Sequence, residues 1–278
     1  MGSEMCIRDS VKTEEYKGIV QNKKIRSLPI IRGVFSFIDS MVLGMSTLTY
    51  SASFFMDEEE EEKDEKKESV MMGLTIACSV VMAVAIFMIL PYFLSQLFRK
   101  FTDSTTLITL LEGAVRLVIF FGYILLISRM KDIQRVFMYH GAEHKCINCI
   151  EHGMELNVEN VLKSSRLHKR CGTSFLFIVM IVSIIFFLFI RIESPIWRVV
   201  FRLLLIPVIA GVSFEFIRLA GKSENKLVIL LSKPGMMLQK LTTREPDASM
   251  AEVAIASVEA VFDWRAYLKE NFGWQEKV

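Results

Sequence analysis

Histidine and cysteine are scarce in this chain: four of the one and five of the other among 278 residues. Five cysteines make no secreted disulfide framework, and three of them lie among the histidines, so reduced, cytosol-facing thiols are expected. A large net charge is also missing, the formal value being +2. No stripe of Lys and Arg interleaved with aromatics occurs, which leaves no case for nucleic-acid binding. The start lacks the apolar core of a secretory signal peptide, and no internal repeat is visible. The opening MGSEMCIRDS looks foreign to the rest, and Cys6 is set aside with it.

Apolar sequence is what the chain has in excess, 52% of its residues, and it is gathered in runs. Runs of about 20 residues match the hydrocarbon thickness of a bilayer, so the composition predicts an all-α, polytopic membrane protein. Four transmembrane helices are expected, over Met71–Leu94, Leu107–Ile127, Ser174–Ile190 and Trp197–Leu219.

The expected organisation is a non-native or disordered N-terminus over 1–27, then an amphipathic helix over 28–56 whose Arg32, Ser36, Asp39 and Ser40 share a polar stripe. A charged linker over 57–70 contains the run DEEEEEKDEKKE. Residues 71–127 hold the first two spans, 128–173 a His/Cys-rich loop, 174–219 the other two spans and 220–278 a C-terminal helical region. Glu112 and Arg116, four apart on the second span, are expected to pair inward. Arg198 and Arg202 are expected to snorkel toward the helix end, with Glu215 near Arg218 at the other end. In the C-terminal region a turn is expected at Pro234-Gly235, and Ser249-x-x-Glu252 reads as a capping box.

Orientation follows from the basic residues. The segment 128–173 carries Arg129, Lys131, Arg135, Lys145, Lys163, Arg166, Lys169 and Arg170, whereas the loop between the first two spans has only Arg99 and Lys100. The positive-inside rule then places both termini and the His/Cys loop in the cytoplasm. Were the 28–56 helix to cross as well, only the N-terminal part would change sides.

All four histidines and three of the cysteines fall between Tyr139 and Gly172. His140 and His144 are one helical turn apart with Glu143 between them, an H-x-x-E-H pattern in which two imidazoles can ligate zinc and a carboxylate can act as base. Cys146 and Cys149 form a Cys-x-x-Cys, and His168 and Cys171 a His-x-x-Cys. The expected ligands of zinc or another divalent transition metal are His140, His144, His168 and Cys171. Glu143 is the expected base, and Arg170 is expected to orient an anionic or carbonyl group. Cys149, Glu151 and His152 stand as substitutes for any ligand in that set. A Cys146–Cys149 redox dithiol, and a nucleophilic Cys149 or Cys171 served by histidine, remain open alternatives.

The residues YHGAEHKCINCIEHG, RLHKRCGTSF, LLLIPVIAGVSFEFIRLAG and LQKLTTREPD resemble the YqhQ-like family of uncharacterised bacterial membrane proteins. The resemblance implies a multi-spanning protein of the bacterial cytoplasmic membrane, described only as a predicted metal-dependent enzyme. Carried over by position, the family's motif falls on His140, Glu143, His144, Asn148, Cys149, Glu151, His152, His168, Arg170 and Cys171. Cys146 departs from it, Thr being the more familiar residue there. Family members usually begin with a Gly-Gly-Gln-Ala-Val-Ile-Glu-Gly-Val-Met-Met stretch that this sequence does not carry; a family site that needs it would be incomplete here.

The leading expectation is a metal-dependent integral membrane enzyme, a hydrolase of an amide, ester or phosphoester near the bilayer surface. A non-enzymatic scaffold or assembly factor that docks membrane-protein partners, with a structural metal or none, is the alternative. A transporter using Glu112, Arg116 and Glu215 is a third. The lipid bilayer is the expected partner in each, and no pattern in the sequence sets an oligomeric state.

Overall fold

The computed structural model describes residues 13, 15–53, 65–169, 171–190, 192, 194–222 and 225–275. Every regular element among them is helical. In chain order these are α1 (Lys23–Ser27), α2 (Ile31–Ser53), α3 (Glu65–Val84), α4 (Leu90–Gln96), α5 (Thr105–Ile127), α6 (Lys131–Glu151), α7 (Val158–Lys163), α8 (Gly172–Phe189), α9 (Pro195–Lys222), α10 (Lys226–Thr242), α11 (Ala248–Glu259) and α12 (Trp264–Phe272). Of the expected 1–27 segment, residues 1–12 and 14 lie outside the described ones, and its end forms α1. Of the expected 57–70 linker, residues 57–64 lie outside them, and 65–70 belong to α3.

Among the described residues, five helices are long and apolar enough to cross a membrane: Ile31–Ser51, Gly73–Lys100, Thr105–Ile127, Gly172–Phe189 and Ile196–Gly221. Four of them overlap the expected spans; the first, and least apolar, is the helix expected to be amphipathic. Side chains such as Leu48, Val80, Val81, Met82 and Val118 are exposed along them. Apolar surface on that scale fits a lipid environment.

The chain divides into two compact units. One takes in Tyr16–Tyr123 and Ile178–Phe216. In it a π turn, Ala85–Ile89, links α3 to α4 just before Pro91. Proline lacks the N–H and crowds the carbonyl four residues back, so a widened turn there keeps the helix running. The N-terminal end of α2 packs backbone to backbone on α9: a Cβ on Gly33 would lie 2.8 Å from the Gly211 carbonyl oxygen, and one on Gly211 2.6 Å from that of Ile30. Glu215 on α9 accepts from Arg32 Nε at 2.6 Å.

The expected Glu112–Arg116 pair forms at 2.9 Å, and Arg202 joins it, donating to the second carboxylate oxygen at 2.8 Å. Arg202 therefore turns inward instead of snorkelling, because a carboxylate buried to 3% exposure has two oxygens to satisfy. The Phe187 ring lies 5.1 Å from the Arg116 guanidinium carbon and 4.6 Å from that of Arg202. Arg116 also donates to Ser183 Oγ at 3.2 Å, while its buried Nε has no hydrogen-bond partner.

The other unit takes in Ile124–Phe177 and Ile217–Val278. Its core joins Cys146, Cys149 and Ile150 of α6 to Leu156, Val161 of α7, Ala251 of α11 and Trp264 and Leu268 of α12. Most of the segment expected as a loop is thus helical. Helix α6 ends at Glu151; just beyond it Gly153 takes a φ of +72° that suits glycine, and the Gly153 and Met154 N–H groups bond back to the Ile150 and Cys149 carbonyls. A Cβ there would also press on the Phe272 ring at 2.8 Å.

Two local expectations are corrected. Pro234-Gly235 lies inside α10 and makes no turn. Its glycine serves close packing instead, since a Cβ there would be 3.1 Å from Ser174 Cβ. Helix α11 is capped by Asp247, which accepts from Met250 N at 2.8 Å, while Ser249 donates its hydroxyl to the Asp247 carboxylate. A carboxylate able to accept from both wins over a serine two residues on.

Candidate metal centre

One face of α6 carries the site and the other carries the core. Cys146, Cys149 and Ile150 point into apolar contacts. His140 and His144, one turn apart, put their rings 4.4 Å apart by centroid. Burial pushes the Cys146 thiol up to about 12 and the Cys149 thiol up to about 11. Both are protonated core residues, and Cys149 gives its S–H to the Glu155 carbonyl at 3.3 Å. Both thiols pack in the apolar core behind α6.

Both histidines have their tautomer fixed by a carbonyl. His140 Nδ1 lies 2.9 Å from the Thr242 oxygen, and His144 Nδ1 lies 2.7 Å from the Arg166 oxygen. A carbonyl can only accept, so each Nδ1 carries a proton and leaves Nε2 as the atom available to a ligand or to Cys171. His140 Nε2 is 3.2 Å from Cys171 Sγ, and ligand atoms of His140, His144 and Cys171 all fall within 4.8 Å of one another. All three side chains are buried or half-buried. Burial alone pushes the Cys171 thiol up, but hydrogen bonds from His140, His144 and Thr173 outweigh it and bring it down to about 5. Burial pulls His140 down, yet its bond to Cys171 leaves it above the usual imidazole value.

The loop that delivers Cys171 is held almost carbonyl by carbonyl. Lys145, itself buried, donates to the Leu162 and Ser164 oxygens at 2.8 Å each. Asn148 donates to those of Ser165 at 2.7 Å and Leu167 at 3.0 Å. Gln239, fully buried on α10, accepts from His168 N at 2.8 Å and donates to His168 O and Ser174 Oγ at 2.7 Å each. Arg166 reaches the Thr243 carbonyl at 2.7 Å and, with Lys145, the Glu245 carboxylate. The Thr242–Arg244 segment closes over α6 at Gly141, where a Cβ would lie 2.0 Å from the Arg244 oxygen. That glycine admits the stretch of backbone that orients His140.

His168 stands beside the three-residue group. Its ring is 5.8 Å from that of His144, and its Nε2 faces Glu151 at 3.3 Å. Glu143 is exposed next to His140 and adds to its affinity for a proton. His152 bonds to the Asn148 carbonyl of its own helix at 2.7 Å. Arg170 lies outside the described residues. Sequence reasoning missed Lys145, Gln239 and Thr242 as supports. The signal for the last two was the LQKLTTREPD stretch, which has little reason for that pattern unless it meets something polar.

A family model described as "Protein of unknown function (DUF1385)" matches residues 28–264. The chain belongs to that family. It is also 36% identical over 258 residues to the "Uncharacterized protein YqhQ" of Bacillus subtilis (strain 168), a match covering 89% of this chain and 81% of that protein. No solved structure matches it. The match to the DUF1385 family takes in every residue of the His/His/Cys group and every residue that holds it.

The donor set suits a transition metal. Thiolate and imidazole are both ligand types that zinc takes, and three protein ligands leave a fourth position open. Ideal tetrahedral bonds would put the sulfur and a nitrogen about 3.6 Å apart, close to what His140 and Cys171 already show. Carbonyl acceptors on both Nδ1 atoms are the usual outer support of metal-ligating histidines.

Proposed function

We propose that this chain is a metal-dependent enzyme of the bacterial cytoplasmic membrane, a hydrolase of an amide, ester or phosphoester at the bilayer surface. Zinc or another divalent transition metal would be held by His140, His144 and Cys171. His168, in contact range of His144, either completes the set or steadies it through Glu151. The observation that carries this reading is the fixed pair of Nδ1–H donors, which turns both Nε2 atoms toward Cys171. Without a cation, the two nitrogens and the sulfur must share protons, the rings donating to a thiolate between them. A cation satisfies all three.

A simple cysteine–histidine dyad would need one imidazole, and the second would face the sulfur without purpose. When bound, the metal supplies Lewis acidity and lowers the pKa of water. The chain's own groups do the rest. Glu143, exposed beside His140, takes the proton from the attacking water, and Arg170 orients the substrate's carbonyl or phosphoryl oxygen. Thr242, Arg166 and Gln239 keep the ligands from rotating. Cys171 directly precedes the Gly172–Phe189 span, which supports a site at the membrane boundary. Four spans, with both termini and this site on the cytoplasmic side, match the basic residues of 128–173.

Metal analysis of the purified protein tests this. Wild type is expected to carry about one equivalent of a transition metal, and His144→Ala to lose it while remaining folded. Wild-type protein free of metal after loading would overturn the reading.

A further inference from the structure

Helix α10 has two faces with different tasks. The inner one buries Ser232, Leu238, Gln239 and Thr242, and from it Gln239 and Thr242 hold His168 and His140. The outer one presents Lys226, Leu230, Lys233, Met237 and Lys240, all exposed and recurring every three or four residues, so that they form a single line along the helix. Leu230 is 57% and Met237 63% exposed, and Leu231 and Pro234 flank them.

We infer that this outer face docks on the headgroup layer of anionic phospholipids. The inference rests on the membrane reading above, in which α9 crosses the bilayer. The Ile196–Gly221 span ends five residues before α10 begins at Lys226, which is at most about 17 Å of extended chain. A helix tethered that closely to the end of a span starts at the bilayer boundary.

The chemistry of the face selects lipid over protein. Lysine is depleted from protein interfaces, where its ammonium would lose water without a planar partner. A bilayer surface takes both kinds of side chain at once: Leu230, Leu231 and Met237 enter the acyl boundary, while the lysine stems lie along it and their ammonium groups reach phosphate. The Leu230 carbonyl, which loses its helical donor to Pro234, is left toward the polar layer on this same face. Because the inner face orients the metal ligands, lipid contact on the outer face steadies the candidate metal centre.

The test is hydrogen–deuterium exchange of the full chain in nanodiscs of phosphatidylcholine alone or with one quarter phosphatidylglycerol. Each lysine near an anionic surface is worth on the order of a fivefold factor. Amides of 226–242 are therefore expected to exchange at least about tenfold more slowly with phosphatidylglycerol present, while those of α12 do not change. The difference is expected to vanish in 0.5 M salt and in Lys226→Gln/Lys233→Gln/Lys240→Gln, whose charge loss leaves the inner face intact. Equal exchange in the two lipids, a difference that survives in the triple variant, or protection that follows protein concentration instead of lipid charge would overturn the inference. A chain that fails to enter the discs would instead sink the membrane reading itself.

Discussion

Two imidazoles on successive turns of α6 give their Nδ1 protons to carbonyls from different segments, Thr242 and Arg166, and this is what aims both Nε2 atoms at Cys171. The same helix buries two further thiols, Cys146 and Cys149, in its apolar core face. Gly141 shows how closely the support is built. By helix propensity alone, Gly141→Ala should stabilise by about 1 kcal/mol. A Cβ 2.0 Å from the Arg244 oxygen must instead push the Thr242–Arg244 backbone away, which costs about 1–3 kcal/mol. A net loss of thermal stability in detergent, together with weaker metal retention, is the expected result; a more stable variant that keeps its metal would contradict the geometry. The His140/His144 spacing was legible in the sequence because helical periodicity is written in residue identity. The carbonyl partners were not, since every residue has a carbonyl and only the fold says which ones arrive.

At the level of elements, apolar runs and charge patterns marked the long helices, and four of the five membrane-length helices overlap the expected ones. Local signals read less well where packing overruled them. Pro234-Gly235 looked like a turn, but the contact of Gly235 with Ser174 keeps α10 continuous. The α11 start was read two residues late, because Asp247 gathers both available donors. Arg202 was expected at a helix end and is found on Glu112. That cluster joins α5 and α9 with one carboxylate between two guanidinium groups. Glu112→Gln would leave two buried cations without their anion and should cost about 3–5 kcal/mol. Arg116→Leu would leave the Glu112–Arg202 pair neutral and remove an unsatisfied Nε, for a cost of about 1 kcal/mol or less. Unfolding of the two variants in detergent checks the order, and equal losses would mean that the charge balance does not matter.

For the whole molecule, one compact unit wears apolar side chains on its long helices, and the other gathers the polar residues that hold the His/His/Cys group. Membership of an uncharacterised family fixes no reaction, so the chemistry has to be argued from that group. Cobalt substitution reads it directly. Metal-stripped protein titrated with Co(II) should take up about one equivalent, show a thiolate-to-cobalt charge-transfer band in the near ultraviolet, and lose that band in Cys171→Ser but not in Cys146→Ser. A spectrum with no such band, or one that depends on Cys146 and not on Cys171, would contradict a metal held by His140, His144 and Cys171.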